Sequence, residues 1–473
     1  MREKKRSRRV LRRFGAFWSS AILLLGIVQC TNRVDLSTEV LAGGDLFTSY
    51  NFSKDAFGVP GKGLERNESR FFQSGNELFR TNWVEAPASV ASLDGLGPIF
   101  NASSCGSCHF KDGRAAPQGV EGSHKFGLLW RISDGKRNPD GSAVPHPIYG
   151  TQIQDHSLPK VNPEGRVSIS YDTIVGFYDD GTSYALLKPN YGLTDLAYGE
   201  IPDAYNLSPR IAPQIAGMGL LEHIPLETIL ANQDIDDKDG DGISGKANFV
   251  WNVLEDKKTL GRFGWKASQP TVRQQSASAF KGDMGLTSSL FPIDEYSEHQ
   301  QSVNPEKPDG GYPEISDRQL DRITLYVQAL SVPAKRNIDK PEYLAGRKLF
   351  YKIGCQSCHQ PSYTTGSNAE IAALDQQKIF PYTDLLLHDM GEGLADSVPD
   401  FDATGSEWRT PPLWGIGLIK TVNKHTRLLH DGRARNIEEA VLWHGGEASK
   451  ANSQFKALSK KDREALLFFI ESL

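Results

Sequence analysis

Residues 341–359 read Pro-Glu-Tyr-Leu-Ala-Gly-Arg-Lys-Leu-Phe-Tyr-Lys-Ile-Gly-Cys-Gln-Ser-Cys-His. The stretch reads as a helix that runs into Cys355-Gln356-Ser357-Cys358-His359. That pentad is C-x-x-C-H, the attachment site for a c-type haem. Two thioether bonds would tether the porphyrin, and the adjacent histidine is placed to ligate its iron. A second copy, Cys105-Gly106-Ser107-Cys108-His109, lies upstream, and together the copies use four of the five cysteines. A single copy would suit half a zinc site or a disulfide pair equally well. Two copies point to two covalent haems, with His109 and His359 as iron ligands.

Around these motifs the 473-residue chain carries 45 glycines, 26 prolines and a net charge of -5. The length suggests two or three domain-sized units. The charge argues against a dedicated nucleic-acid binder. The Gly and Pro content suits a loop-rich protein wrapped around cofactors. Residues 1–30 read as a signal peptide, with a basic run, an apolar run at 21–28 too short to span a bilayer, and then Cys30. Gln29-Cys30 weakly resembles a lipidation site. The expected location is therefore periplasmic or extracytoplasmic, either lipid-anchored through Cys30 or soluble after cleavage.

The expected fold class is mainly α with a β-rich insertion, built as two cytochrome c-like haem domains. Residues 45–335 would form the N-terminal domain and 336–473 the C-terminal one. Residues 120–200 alternate apolar and polar side chains between turn signals at Asn138-Pro139-Asp140-Gly141 and Asp179-Asp180-Gly181, which marks the insertion. Helical spacing runs over 317–332, with Ser316 as cap and Pro333 as breaker. Residues 460–473 form an amphipathic helix suited to pack across the helix at 341 onward. A loose internal repeat relates Arg210-Ile211-Ala212-Pro213, followed by Gly217-Met218-Gly219-Leu220, to Arg409-Thr410-Pro411-Pro412, followed by Gly415-Ile416-Gly417-Leu418.

Residues 381–396 (PYTDLLLHDMGEGLAD), 407–418 (EWRTPPLWGIGL) and 428–448 (LLHDGRARNIEEAVLWHGGEA) closely resemble the di-haem oxidoreductases grouped with peroxidases and thiol oxidoreductase-like proteins. The resemblance covers roughly residues 45–473. That family is in turn distantly similar to bacterial di-haem cytochrome c peroxidases. The resemblance implies an oxidoreductase that takes electrons from a small redox protein or another donor at the C-terminal haem. It would reduce peroxide or a similar substrate at the N-terminal haem. The alternative is a di-haem electron-transfer protein without turnover of its own. No spare catalytic cysteine supports thiol oxidation.

Site residues follow from the same resemblance. His444, beyond the His430-Asp431-Gly432 turn, is the expected sixth ligand of the second haem, with Met390 as the alternative. A bis-histidine haem would have a lower potential than a His/Met one. At the first haem the sixth position falls to His124 or stays open. Asp283, before Met284-Gly285, takes the slot of a catalytic glutamate; Glu222 is a second acid/base candidate. Trp265 would bridge the haems. Arg409 and Arg433 are expected to meet propionates or the pocket, with Arg210 as their counterpart at the first haem. Asp237, Asp239 and Asp241 resemble a calcium loop spanning 234–248, to which Asp234 and Asp236 could add oxygens. Asn248 stands where a bidentate glutamate would be.

Overall fold

The computed structural model describes residues 36–120, 127–305 and 310–473. The leader, Cys30 and His124 lie outside the described residues. Leu36–Leu473 form one compact unit. No helix among the described residues is long and apolar enough to cross a membrane.

The fold class departs from the expectation of a mainly α protein with two cytochrome c-like domains. Of the described residues 29% are helical and 19% are in strands, a mixed α/β structure. Strand pairing is also not confined to one insertion: seven small sheets are spread along the described residues. The physical reason lies in the Gly- and Pro-punctuated sequence, which stops most apolar runs after a few residues. Such short segments satisfy their backbone groups by pairing in twos and threes rather than by extending helices.

Two helix pairs nevertheless frame the two C-x-x-C-H segments. Arg66–Arg80 is amphipathic and opens with a capping box between Glu65 and Glu68. It packs on Asp317–Gln328, which opens with a box between Ser316 and Gln319. The helices touch where Gly75 lies against the Arg322 carbonyl, a place with no room for a Cβ. Phe72 and Phe79 flank Tyr326 at 4.9 and 5.3 Å between ring centroids. In the second pair, Pro341–Lys352 packs on Lys460–Ser472. Here Gly346 meets the Ala465 carbonyl. Tyr343 and Phe350 pack on Phe469 at 5.1 and 5.3 Å.

Between the two helices of the first pair in sequence, Leu128–Ser133 forms the centre of an antiparallel three-stranded sheet, flanked by Gln152–Ile153 and Asn206–Ile211. A long hairpin, Arg166–Phe177 with Ser183–Thr194, turns at Gly181, whose φ of 84° suits glycine. The hairpin reaches the C-terminal region: Tyr178 Oη donates to Glu438 (2.6 Å), and Tyr191 Oη donates to Asp431.

Candidate di-haem site

A cavity of about 610 Å³ is lined by both C-x-x-C-H segments. All four cysteines are free of disulfides. Each motif follows the same local plan. A phenylalanine from the preceding helix approaches the motif histidine, Phe79 to His109 at 6.2 Å and Phe350 to His359 at 6.3 Å. Each histidine then donates from Nδ1 to a backbone carbonyl, His109 to Pro213 (2.7 Å) and His359 to Tyr382 (2.9 Å). That bond fixes the tautomer and leaves the Nε2 lone pair for a metal. Burial lowers the pKa of His109, and it pushes His359 down to about 4.

His444 follows the short helix Ile437–Leu442, which is capped by Asn436. Its Nδ1 donates to the Ala440 carbonyl at 2.6 Å. Its ring faces His359 with centroids 6.5 Å apart. Burial lowers its pKa as well. Met390 also lines the cavity. His388, which the sequence did not mark, lies 3.5 Å from Cys358 Sγ. It sits between Asp384 (2.7 Å) and Glu447 (2.6 Å). Burial opposes protonation of His388, but the Asp384 carboxylate overrides it and raises its pKa well above the ordinary value. Glu447 also accepts from Ser244 Oγ at 2.6 Å, tying the acidic loop to this end of the cavity.

At the first motif, Asp283 lines the cavity from the end of the helix Val272–Met284. Burial raises its pKa, and a hydrogen bond from Gln152 Nε2 (2.9 Å) works against that rise. Trp265 also lines the cavity, with Nε1 donating to the Ile211 carbonyl at 2.8 Å. Glu222 is not among the cavity residues. It accepts from Val272 N (2.8 Å) and Gln328 Nε2 (2.6 Å), holding the start of one helix to the end of another.

The arginines divide into two kinds. Arg210 pairs with Asp400 (2.8 Å), and Arg433 with Asp431 (2.6 Å); Arg433 is not among the cavity residues. Arg409 lines the cavity and donates only to the carbonyls of Gly264 (2.8 Å) and Thr410 (3.1 Å). Arg114, which sequence reasoning missed although it closely follows His109, stacks 5.1 Å from the Trp265 ring. It donates to the Leu429 carbonyl, and its buried Nε has no partner. Among the described residues neither Arg114 nor Arg409 has a carboxylate within salt-bridge distance. Burial pushes Arg114 down to about 9 and Arg409 to about 10, with Asp431 and Asp384 respectively opposing. The cavity lining also holds a stack that the sequence did not reveal: His430 on Trp408, with centroids 3.7 Å apart. Lys266, fully buried, pairs there with Asp396 at 3.2 Å.

In the acidic loop, Asp234, Asp237 and Asp239 bring carboxylate oxygens within 4.8 Å of one another. Asp241 instead caps the Ile243 amide at 2.8 Å.

Over residues 38–473 the chain matches the family described as "Di-haem oxidoreductase, putative peroxidase". The protein belongs to that family. No curated protein matches it. Among solved structures, a chain of Kuenenia stuttgartiensis hydrazine synthase overlaps it at a TM-score of 0.30 and 13% identity, over 85% of this chain and 92% of that one. An overlap this loose bears on neither fold nor chemistry.

The residues of this di-haem oxidoreductase fit the groups its family carries. The cavity volume falls within the usual range of ligand pockets, ~300–1,000 Å³. An iron bound by two imidazoles needs about 6 Å between ring centroids, given metal–nitrogen bonds of ~2 Å. His359 and His444 meet that requirement. The unpaired guanidiniums of Arg114 and Arg409 suit carboxylates such as haem propionates. Buried acceptors without partners, Gln214 Oε1 and Gln269 Oε1, also belong to cavity residues.

Proposed function

We propose that this di-haem oxidoreductase reduces hydrogen peroxide or a similar substrate at the Cys105–His109 end of the cavity. Electrons enter at the Cys355–His359 end from a small redox carrier, and the chain works outside the cytoplasm, in the periplasm. The haems, bound covalently through the four cysteines, supply the iron that binds the oxidant and the one-electron storage. What carries the reading is the asymmetry of the two ends. His444 faces His359, whereas the buried carboxylate Asp283 stands beside Cys105, close enough for its charge to act on that sulfur.

The chain's part in the reaction is to hold and move a proton. Reduction of peroxide consumes two electrons and two protons and yields two waters. Asp283 takes the proton from one peroxide oxygen and returns it to the other as the O–O bond breaks, which lets that oxygen leave as water. With haem bound, His444 would hold the second iron together with His359 and reserve that end for electron transfer. Trp265, which lines the cavity, would shorten the electron path between the ends. Arg114 and Arg409 neutralise propionates. Calcium belongs to the same reading, with Asp234, Asp237 and Asp239 as its oxygen ligands. Calorimetric titration of the parent and of Asp237→Asn should show binding only in the parent.

The deciding experiment measures peroxide turnover with a reduced carrier, alongside EPR of the oxidised and half-reduced protein. Asp283→Asn should lose ~10²–10⁴-fold in turnover at unchanged haem content. One iron should turn high-spin on half-reduction. Two unchanging low-spin signals and no turnover would leave an electron-transfer protein instead.

A further inference from the structure

The carboxylate at 283 is held by a chain of side chains that ends at the protein surface. Gln152, buried in the strand Gln152–Ile153, donates from Nε2 to Asp283 Oδ1 (2.9 Å) and to Asn101 Oδ1 (2.7 Å), with Gly282 O at 3.3 Å. Asn101 donates from Nδ2 to the Ile153 carbonyl (2.9 Å) and to Asp155 Oδ1 (2.8 Å). The same Asp155 oxygen lies 2.9 Å from Nδ1 of His156, whose side chain is exposed. The backbone closes the arrangement: the amides of Asn101 and Ala102 both donate to the Asp283 carbonyl, at 2.8 and 3.0 Å. The helix end carrying Asp283 is therefore bolted to the segment that leads into Cys105.

The direction of every bond in this chain is forced. An ionised carboxylate only accepts, so Asp155 must face the NH₂ of Asn101. The Asn101 carbonyl oxygen then faces Gln152, which must present its own NH₂ in return. One of those hydrogens goes to Asn101 and the other is left for Asp283. Turning either amide over would set oxygen against oxygen in a buried place, a cost of about 1–3 kcal/mol for each group left unsatisfied. No hydrogen bond among the described residues engages Asp283 Oδ2, so that oxygen is free for the cavity. The amides carry polarity and not protons, because neither can pass a proton without tautomerising.

The geometry points to Gln152 and Asn101 as positioning residues that hold Asp283 as a hydrogen-bond acceptor facing the first haem, with Asp155 and His156 as the solvent-facing end of the network. This inference deepens the peroxide reading and rests on it. Other groups also face Asp283: Arg131 from the strand Leu128–Ser133, Glu295, and the Cys105 sulfur. Lys281, two residues back on the same helix, pairs with Glu295 at 3.6 Å. None of these is altered by substitution at Gln152 or Asp155.

The test follows the acid limb of the pH profile of peroxide turnover in the holoprotein, and the pH titration of the oxidised haem absorption spectrum. Gln152→Leu removes the donor from Asp283. A hydrogen bond to a charged group is worth ~1.5–3 kcal/mol, so the acid limb and the spectral transition should both move up by about one to two pH units. Asp155→Asn, at the outer end, frees the Asn101 amide to turn and should give a smaller shift in the same direction. Normal haem content with both transitions unmoved in Gln152→Leu overturns the inference. If that variant fails to assemble, an unmoved profile in Asp155→Asn overturns it instead. Asp283→Asn separates the two levels. Loss of turnover there, with no shift at Gln152, defeats only the positioning role. Full turnover in Asp283→Asn defeats the proton-carrying role of Asp283 and the positioning role with it, whereas no turnover in the parent defeats the peroxide reading itself.

Discussion

Two imidazoles 6.5 Å apart, each with Nδ1 committed to a carbonyl, leave only their Nε2 atoms for anything between them. His444→Ala should convert the second haem from six- to five-coordinate, visible as a high-spin shift in its absorption and EPR spectra. An unchanged spectrum would pass the role to another residue, Met390 being the nearest alternative from sequence. How legible each residue was depends on how local its role is. The C-x-x-C-H pentads are legible because the covalent attachment and iron ligation proposed for them would need contiguous residues. His444 is legible only through the family resemblance, which sets a haem ligand beyond the His430-Asp431-Gly432 turn. Arg114 and His388 are not legible. Arg114 acquires its meaning from Trp265 and Leu429, and His388 from Glu447, all far away along the chain. Glu222 shows the converse: a carboxylate beside a histidine looks catalytic in sequence, yet one of its oxygens accepts from a helix start at Val272 and the other from Gln328.

At the scale of elements, the helix pair Pro341–Lys352 and Lys460–Ser472 sets the second motif. Its closest approach is at Gly346, where any Cβ would run into the Ala465 carbonyl and the Phe469 Cβ. Backbone there cannot move aside as a flexible side chain could. Gly346→Ala should therefore destabilise the protein by about 1–3 kcal/mol, despite alanine's better helix propensity. Urea denaturation checks this, and a neutral or stabilising result would show that the helices can separate freely. Long helices such as Asp317–Gln328 were readable because caps and period agree. The scattered two-stranded pairs were not, because a partner such as Val332–Pro333 for Thr48–Ser49 lies far along the chain, beyond many other elements. That is why a mainly α reading gave way to a mixed one.

For the whole molecule, buried charge sets a pH dependence. Lys335 Nζ lies 3.1 Å from both Glu39 and the Tyr382 hydroxyl. Burial pushes its pKa down to about 8, with Glu39 opposing. Unfolded lysine titrates near ~10.4, so between these values the unfolded chain binds more protons than the folded one, and stability rises with pH. Lys335→Met should remove that part of the slope, measured as the difference between urea midpoints at about pH 8 and about pH 10. An undiminished slope would assign it to other groups.

One cavity wall includes both Phe79, beside His109, and Phe350, beside His359. Residues that shape the seat at Cys105 therefore lean on residues that shape the seat at Cys355. On the di-haem reading, biogenesis becomes cooperative: filling one seat firms the walls of the other, as any ligand that binds only the folded form does. A chain carrying Cys105→Ser and Cys108→Ser should then also be under-loaded at Cys355 and Cys358. Mass spectrometry of the haem-bearing peptides would register this, and full occupancy of the second seat would mean that the two mature independently.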